Sequence, residues 1–388
     1  MRLFISAGEP SGDLHSANLL QALHRQVPTI EFHGFGGDRM AEAGCRIHYP
    51  LTELAGVGVL RILSALPRGA AALQRADRLF CDLRPDALVL IDFPTFHWHL
   101  AECARKYGIP VVWFVPPQLW AWGSFRVRWM RRLADRVLCT LPFEEEWYRS
   151  RGVDATFVGH PYFDELRERR LDASFLAAQR VRPGKVIALL PGSRRQEVKH
   201  NFGAMMDTAQ IIYAHRPDVR FLVACLRPEH AHNVEQQLHG RSLPIEVHVG
   251  RTAEIIELCH AAIAKSGSCG LELLYHGKPA VVVYQLHWFE SFASQFIIQC
   301  PYISLVNLLS GKPLFPEYLT SRLPATAIAE HVLHWLDDAP AYQALQAELA
   351  ALRTRVAQPG ACERAARVVA GMLRGGIDLR STSMPRCA

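Results

Sequence analysis

The 388-residue sequence has no apolar run near the roughly 18 residues that a membrane-spanning helix needs, so no crossing helix is expected. It has no Cys-x-x-Cys pair. Its ten cysteines stand singly from Cys45 to Cys387, which argues against a zinc ribbon or a disulfide framework and toward a reduced, cytoplasmic setting. Eighteen histidines include no His-Glu-x-x-His and no His/Cys cluster at metal-ligand spacing, so no metal site is expected, and His97 and His99 read as structural. Zinc-finger, RNA-recognition and basic-zipper signatures are lacking too, and nucleic acid is not the expected partner. The first residues, Met1–Gly8, go straight into a strand and a glycine turn, without the pattern of a secretory leader. No repeat or low-complexity segment stands out beyond alanine-rich stretches near Ala70 and Ala350.

What is present is a globular composition, 49% hydrophobic and 21% charged, and a length that suggests at least two domains. The net charge of +6 comes mainly from arginine, in part clustered, which suits small anionic ligands or an anionic membrane surface. Short β-rich runs alternate with helical stretches: Leu3–Ser6, a helix from about Leu14, Glu31–Phe35, a helix from about Asp38, Ala87–Ile91 and Val111–Phe114. After the polar stretch Glu165–Lys185 the pattern restarts with Val186–Leu190, Arg220–Ala224, Glu246–Val249, Ala261–Ala264 and Ala280–Tyr284. Such alternation predicts an α/β chain of two doubly wound, Rossmann-like parallel sheets with a ligand between them at the strand ends. Residues from about Ala325 to Arg374 read as helical, and the tail through Ala388 as loose.

Several turns carry candidate chemistry. The apolar run Val186–Leu190 leads into Pro191-Gly192-Ser193-Arg194-Arg195-Gln196-Glu197, where a Gly-Ser turn opening a helix offers backbone N–H groups to a phosphate. Arg194 and Arg195 add guanidinium forks. The plainer reading is a strand-to-helix turn with two solvated arginines. Ser266-Gly267-Ser268-Cys269-Gly270-Leu271-Glu272 is a second turn of this kind, with Glu272 in the first helical turns as a candidate for a ribose diol or as an ordinary surface glutamate. In the N-terminal half, Ala7-Gly8-Glu9-Pro10-Ser11-Gly12-Asp13 departs from the dinucleotide fingerprint because Glu9 and Asp13 would repel a pyrophosphate. That acidic pair suits hydroxyl recognition, while Ser11 or Asp13 could instead cap the next helix.

Asp92 ends the apolar run Leu88–Ile91, at the strand edge where open α/β sheets bind ligands, as a candidate general base or as a turn-capping aspartate. Two surface stretches remain. The apolar Gly56–Arg68, with Val57, Val59, Leu60 and Leu63, and the basic Arg126–Arg132, with Arg126, Arg128, Arg131 and Arg132 around Trp129, suit a bilayer or an acylated substrate, or else a core helix and a solvated basic face.

Taken in order, these segments resemble the lipid-A-disaccharide synthase family. The matching pieces are AGEPSGD at Ala7–Asp13, IDFP at Ile91–Pro94, PPQLWAW at Pro116–Trp122, LPFEEEWY at Leu141–Tyr148, FVGHP at Phe157–Pro161, LLPGSRRQE at Leu189–Glu197, SGSCGLE at Ser266–Glu272 and NLLSGKPLFPE at Asn307–Glu317. The resemblance implies a glycosyltransferase-B fold and an inverting transfer from UDP-2,3-diacylglucosamine to 2,3-diacylglucosamine 1-phosphate, giving a β-1,6 disaccharide 1-phosphate and UDP without a cofactor. In that picture Asp92 is the base that takes the acceptor 6-hydroxyl proton, and Arg194 contacts the diphosphate. Glu272 and Asn307 match positions lining the nucleotide pocket, and Glu317 also matches. The family's seat on the inner face of the cytoplasmic membrane fits the apolar and basic stretches.

Residues 1–165 would then form the acceptor and lipid side, 166–350 the UDP-sugar domain, 351–375 a helix returning to the first domain or to a partner chain in a homodimer, and 376–388 a flexible tail. The sequence departs from the family at Thr95, where a second acidic residue is common, and at Val306 and Pro313. A UDP-sugar 2-epimerase of the same fold and a non-catalytic nucleotide-sugar or lipid-binding protein stay open as alternatives.

Overall fold

The computed structural model describes residues 1–54, 62–286 and 299–375. The chain divides into two compact units, Met1–Arg167 with the residues from Gln358 on, and Glu168–Ala357.

In chain order the first unit contains β1 (Arg2–Ala7), α1 (Pro10–Gln26), β2 (Glu31–Phe35), α2 (Asp38–Glu42), β3 (Arg46–Tyr49), α3 (Ile62–Leu83), β4 (Ala87–Ile91), α4 (Pro94–Lys106), β5 (Val111–Phe114), α5 (Val127–Leu133), β6 (Arg136–Cys139), α6 (Pro142–Arg149), β7 (Ala155–Phe157) and α7 (Pro161–Glu168). Its seven strands run parallel in the order β3-β2-β1-β4-β5-β6-β7. The central strands are apolar at almost every position because a parallel sheet covered by helices buries both faces. Alternate residues feed two cores. Phe4, Leu88, Leu90, Val111 and Trp113 join one cluster, while Leu3, Ile5, Val89, Ile91, Val112 and Phe114 join the other.

The second unit contains α8 (Ala173–Arg180), β8 (Lys185–Leu190), α9 (Arg195–His215), β9 (Val219–Cys225), α10 (Pro228–Leu238), β10 (Ile245–Val249), α11 (Thr252–Leu258), β11 (Ala261–Lys265), α12 (Cys269–Tyr275), β12 (Ala280–Gln285), α13 (Leu305–Ser310), β13 (Glu317–Thr320), α14 (Ala325–Asp337) and α15 (Ala339–Val356). The parallel order is β10-β9-β8-β11-β12-β13, around a core that includes Ile187, Leu189, Phe202, Phe221 and Ile263.

The last described helix, α16 (Ala361–Arg374), returns to the first unit. Its small residues Ala365, Ala366 and Ala370 lie buried in the same core as Leu19 and Leu23 of α1. Asp164 caps it by accepting the main-chain N–H groups of Gly360, Ala361 and Cys362. Arg25 pairs with Glu363, and Arg374 donates to the carbonyl of Gln26 at 2.7 Å. The helix α15 spans residue 350 without a break and belongs to the second unit.

Both sheets reverse their strand order at one place, between β1 and β4 in the first and between β8 and β11 in the second. The loops leaving the carboxyl ends of such a strand pair diverge to opposite faces and leave a crevice for a ligand. In the first sheet those loops are Gly8–Glu9 and Asp92–Phe93. In the second they are Pro191–Arg194 and Ser266–Ser268.

Candidate active site

At the first switch point the chain leaves β4 through a strained turn. Asp92 and Phe93 both have left-handed backbone, with φ of 50° and 47°, and Pro94 then starts α4. Non-glycine residues pay a steric penalty there, so the surroundings must hold the conformation. His97, one turn into α4 and fully buried, supplies part of that hold. Its Nδ1 lies 2.6 Å from the Asp92 carbonyl oxygen and its Nε2 2.9 Å from Ser6 Oγ on β1. Burial lowers the His97 pKa to about 4, so the ring is neutral at pH 7. The Phe93 ring closes over the β1–α1 loop, where a Cβ on Gly8 would come within 2.1 Å of Phe93 Cδ1. Asp92 itself is half-buried.

The acidic residues of the β1–α1 loop divide. Asp13 is buried and caps α2, not α1: its carboxylate accepts from the main-chain N–H of Gly37 at 2.8 Å, Arg39 at 3.0 Å and Met40 at 3.3 Å. Those contacts anchor the start of α2 to α1. Glu9 is the residue before α1 and half-buried, without a side-chain cap, and Ser11 is exposed on the helix's first turn.

At the second switch point the expected phosphate turn is closed upon a carboxylate of its own. Glu197 Oε2 accepts from the main-chain N–H of Ser193 at 3.1 Å and of Arg194 at 3.2 Å. Lys265 Nζ, at the carboxyl end of β11, lies 3.0 Å from Glu197 Oε1 and 4.8 Å from the Tyr284 ring centroid. Gly192 has φ of 128°, and a Cβ there would meet Glu197 at 2.7 Å, so glycine is required twice over. Arg194 precedes α9 with its side chain 69% exposed and 3.7 Å from Glu197. Arg195 is exposed in the first turn.

Asn201 and Lys265 carry no signal that sequence reasoning could use. Asn201 is buried in α9, donates to the Pro191 carbonyl at 3.1 Å and accepts from the Gln285 main chain at 3.0 Å, tying the turn to β12. In the sequence it is one polar residue inside a helix.

Around β11 and β13 the predicted residues are brought together, with most of their polar atoms engaged by the chain. Ser266 Oγ donates to the Ile303 carbonyl at 3.1 Å, and Gly267 and Ser268 are exposed. Glu272 is 2% exposed and forms an ion pair at 2.5 Å with Arg169. Asn307 is fully buried, donating to the Phe315 carbonyl and to Glu317 at 2.7 Å each, and accepting from the Phe315 N–H at 2.9 Å. Glu317 also accepts from the N–H groups of Ile303 and Ser304 at 2.8 and 2.9 Å, and burial raises its pKa above the usual glutamate value. Of the departures, Val306 is buried, while Thr95 and Pro313 are exposed.

On the first unit's surface, Trp122 and Phe125 are 50% and 62% exposed. Arg126 stacks on Trp122 at 4.1 Å, and Arg128 lies 5.9 Å from the rings of both Phe125 and Trp129. Arg131 and Arg132 are exposed, the latter 2.6 Å from Glu102. Val57, Val59 and Leu60 lie outside the described residues, as does the side chain of Leu63.

The family model described as lipid-A-disaccharide synthetase matches residues 3–371. The chain belongs to this family. A lipid-A-disaccharide synthase of Anaeromyxobacter sp. strain K is 36% identical over 374 residues, covering 96% of this chain and 98% of that protein. One from Myxococcus xanthus is 33% identical over 379 residues, at 97% and 98% coverage. Among solved structures, a putative UDP-N-acetylglucosamine 2-epimerase from Listeria monocytogenes superposes with a TM-score of 0.67 at 12% identity, covering 98% of this chain and 99% of that one. The calicheamicin glycosyltransferase CalG4 gives 0.59 at 16% identity, covering 97% and 99%. These likenesses establish the two-Rossmann-domain fold. As a lipid-A-disaccharide synthetase family member the protein is a UDP-sugar-dependent glycosyltransferase of lipid A biosynthesis. Among the described residues no helix is long and apolar enough to cross a membrane.

Proposed function

We propose that the protein joins UDP-2,3-diacylglucosamine to 2,3-diacylglucosamine 1-phosphate, releasing UDP and a β-1,6-linked disaccharide 1-phosphate. Asp92 removes the proton of the acceptor 6-hydroxyl as that oxygen attacks the anomeric carbon from the face opposite UDP. One displacement of an α-linked donor inverts the centre, so the reaction asks for one base on the acceptor side and charge stabilisation at the departing diphosphate. Arg194 and the N–H groups opening α9 supply the second, with Glu272, Asn307 and Glu317 shaping the nucleotide side. The observation that carries this reading is the placement of family segments at both switch points, IDFP beside AGEP in one sheet and PGSR beside SGS in the other.

The protein works at the inner face of the cytoplasmic membrane, where Trp122 and Phe125 would sit among lipid headgroups and the neighbouring arginines meet anionic lipid. The test is disaccharide formation from the two acylated substrates, with detergent and EDTA varied. Product that keeps a single acylated sugar would favour an epimerase, and UDP binding without turnover a non-catalytic protein. Asp92→Asn should lower kcat by about 10²-fold or more with little change in UDP affinity. Near-normal turnover would remove Asp92 from the mechanism.

A further inference from the structure

We infer that His97 is a positioning residue for the transfer, acting through the left-handed turn that carries Asp92, and that Ser6 sets the imidazole tautomer it needs. The inference rests on the reading of Asp92 as the base.

A carbonyl oxygen can only accept, so the 2.6 Å contact to Asp92 requires the proton on Nδ1 of His97. Nε2 of the neutral ring is then an acceptor, and the Ser6 hydroxyl at 2.9 Å donates to it. Ser6 is fully buried on β1 and His97 fully buried on α4, so one linkage joins three elements, the β1 strand, the α4 helix and the end of β4. Burial keeps the ring neutral at pH 7, with its pKa lowered to about 4, and so leaves this donor–acceptor order as the stable one.

The ring is further fixed by near-perpendicular contacts to Phe93 at 5.9 Å and Trp113 at 6.2 Å. What it fastens is the first residue past the sheet ladder, since Ile91 is the last residue of β4 to pair with β1 and β5. Asp92 and Phe93 occupy a conformation that L-residues avoid unless held. Without the donor at Nδ1 the Asp92 carbonyl loses this bond and the turn can shift toward ordinary backbone, moving the base with it. An error of about 1 Å in a reacting group can cost on the order of 10²-fold in rate.

The test compares His97→Asn with His97→Gln in the full-length protein. The asparagine amide nitrogen can stand where Nδ1 stands and keep the bond to Asp92, whereas the glutamine amide reaches the Nε2 position and Ser6. His97→Asn should keep kcat within about threefold of the parent, and His97→Gln should lose about 10- to 100-fold, with KM for both acylated substrates little changed. His97→Leu should resemble glutamine in kcat if it folds, as judged by circular dichroism and UDP binding. Equal kcat for the asparagine and glutamine variants, or a loss confined to KM, would overturn the inference. Asp92→Asn measured alongside separates the two readings: if it keeps turnover, the base assignment fails, and if it loses turnover while His97→Gln does not, only the positioning role fails.

Discussion

His97 also makes acid stability a quantitative test of how this unit is built. Its pKa falls from 6.5 to about 4 because the folded chain buries the ring completely. The unfolded chain therefore takes up the proton first, and the sign follows from proton linkage: stability is whole above about pH 6.5 and is lost as pH falls toward 4. From pH 7 to pH 5 a single group with these two values removes about 2 kcal/mol. His97→Asn deletes that titration while retaining the bond to Asp92, and it leaves a cavity against Phe93 and Trp113 that costs roughly 1–3 kcal/mol at any pH.

The variant should thus be the less stable protein at pH 7, and the gap should narrow by about 2 kcal/mol at pH 5. The buried His15 and the half-buried His160, lowered to about 4 and about 3, titrate in both proteins and cancel in the difference. Urea unfolding followed by tryptophan fluorescence reads mainly this unit, because six of the eight tryptophans, Trp98, Trp113, Trp120, Trp122, Trp129 and Trp147, belong to it. Parallel stability curves for the two proteins would show that His97 is not a buried neutral imidazole.

Arg194→Ala should weaken UDP binding by roughly 1.5–3 kcal/mol, the usual worth of a charged hydrogen bond, as read by calorimetric titration; unchanged affinity would leave Arg194 as a solvated side chain. Asp164→Ala removes the acceptor for three N–H groups at the start of α16 and should cost about 1–2 kcal/mol, with faster amide exchange in Ala361–Arg374 than in β1; uniform exchange would contradict the cap. Gly8→Ala must displace the Phe93 ring, so kcat should fall at least about tenfold, a shift of about 1.4 kcal/mol in the barrier, while the melting temperature moves by only a few degrees. Wild-type turnover in that variant would mean that the Phe93 turn tolerates movement.

The strands that were legible in the sequence are those buried on both faces. Ala87–Ile91 and Val186–Leu190 are continuous apolar runs, and such runs have few alternatives once turns bound them. The strands that escaped, Arg46–Tyr49, Arg136–Cys139, Ala155–Phe157 and Glu317–Thr320, are three or four residues long, and three of them are outermost in a sheet. At an edge one side of the ladder is unpaired, and the residues of these three outer strands are mostly half-buried, so neither length nor hydrophobicity marks them. At the site, the segments were readable from chain order, whereas the role of His97 depends on a contact 91 residues away in sequence, with Ser6. No local pattern announces it, and an alternating His97/His99 pair suggests only a structural histidine. Asp13 shows the opposite failure: its place in a glycine turn suggests ligand or cap of the following helix, but α2 is the helix it caps.

The acidic residues of the matching segments separate into two kinds by what they hold. Asp13, Glu197 and Glu317 each accept two or more main-chain N–H groups from loops at the carboxyl edges of the sheets. Glu272 is buried against Arg169. A carboxylate placed in this way fixes loop shape, because removing it takes the acceptor from several main-chain donors, at a cost of about 1–3 kcal/mol for each one left shielded from water. Substitution at these positions should therefore depress stability and binding together. Arg194 stands apart, because its guanidinium is mostly in solvent. A change confined to that side chain should spare the fold and alter affinity alone. Separation of the two classes in parallel unfolding and kinetic measurements would sort the scaffold of the site from its chemistry even before any ligand is seen bound.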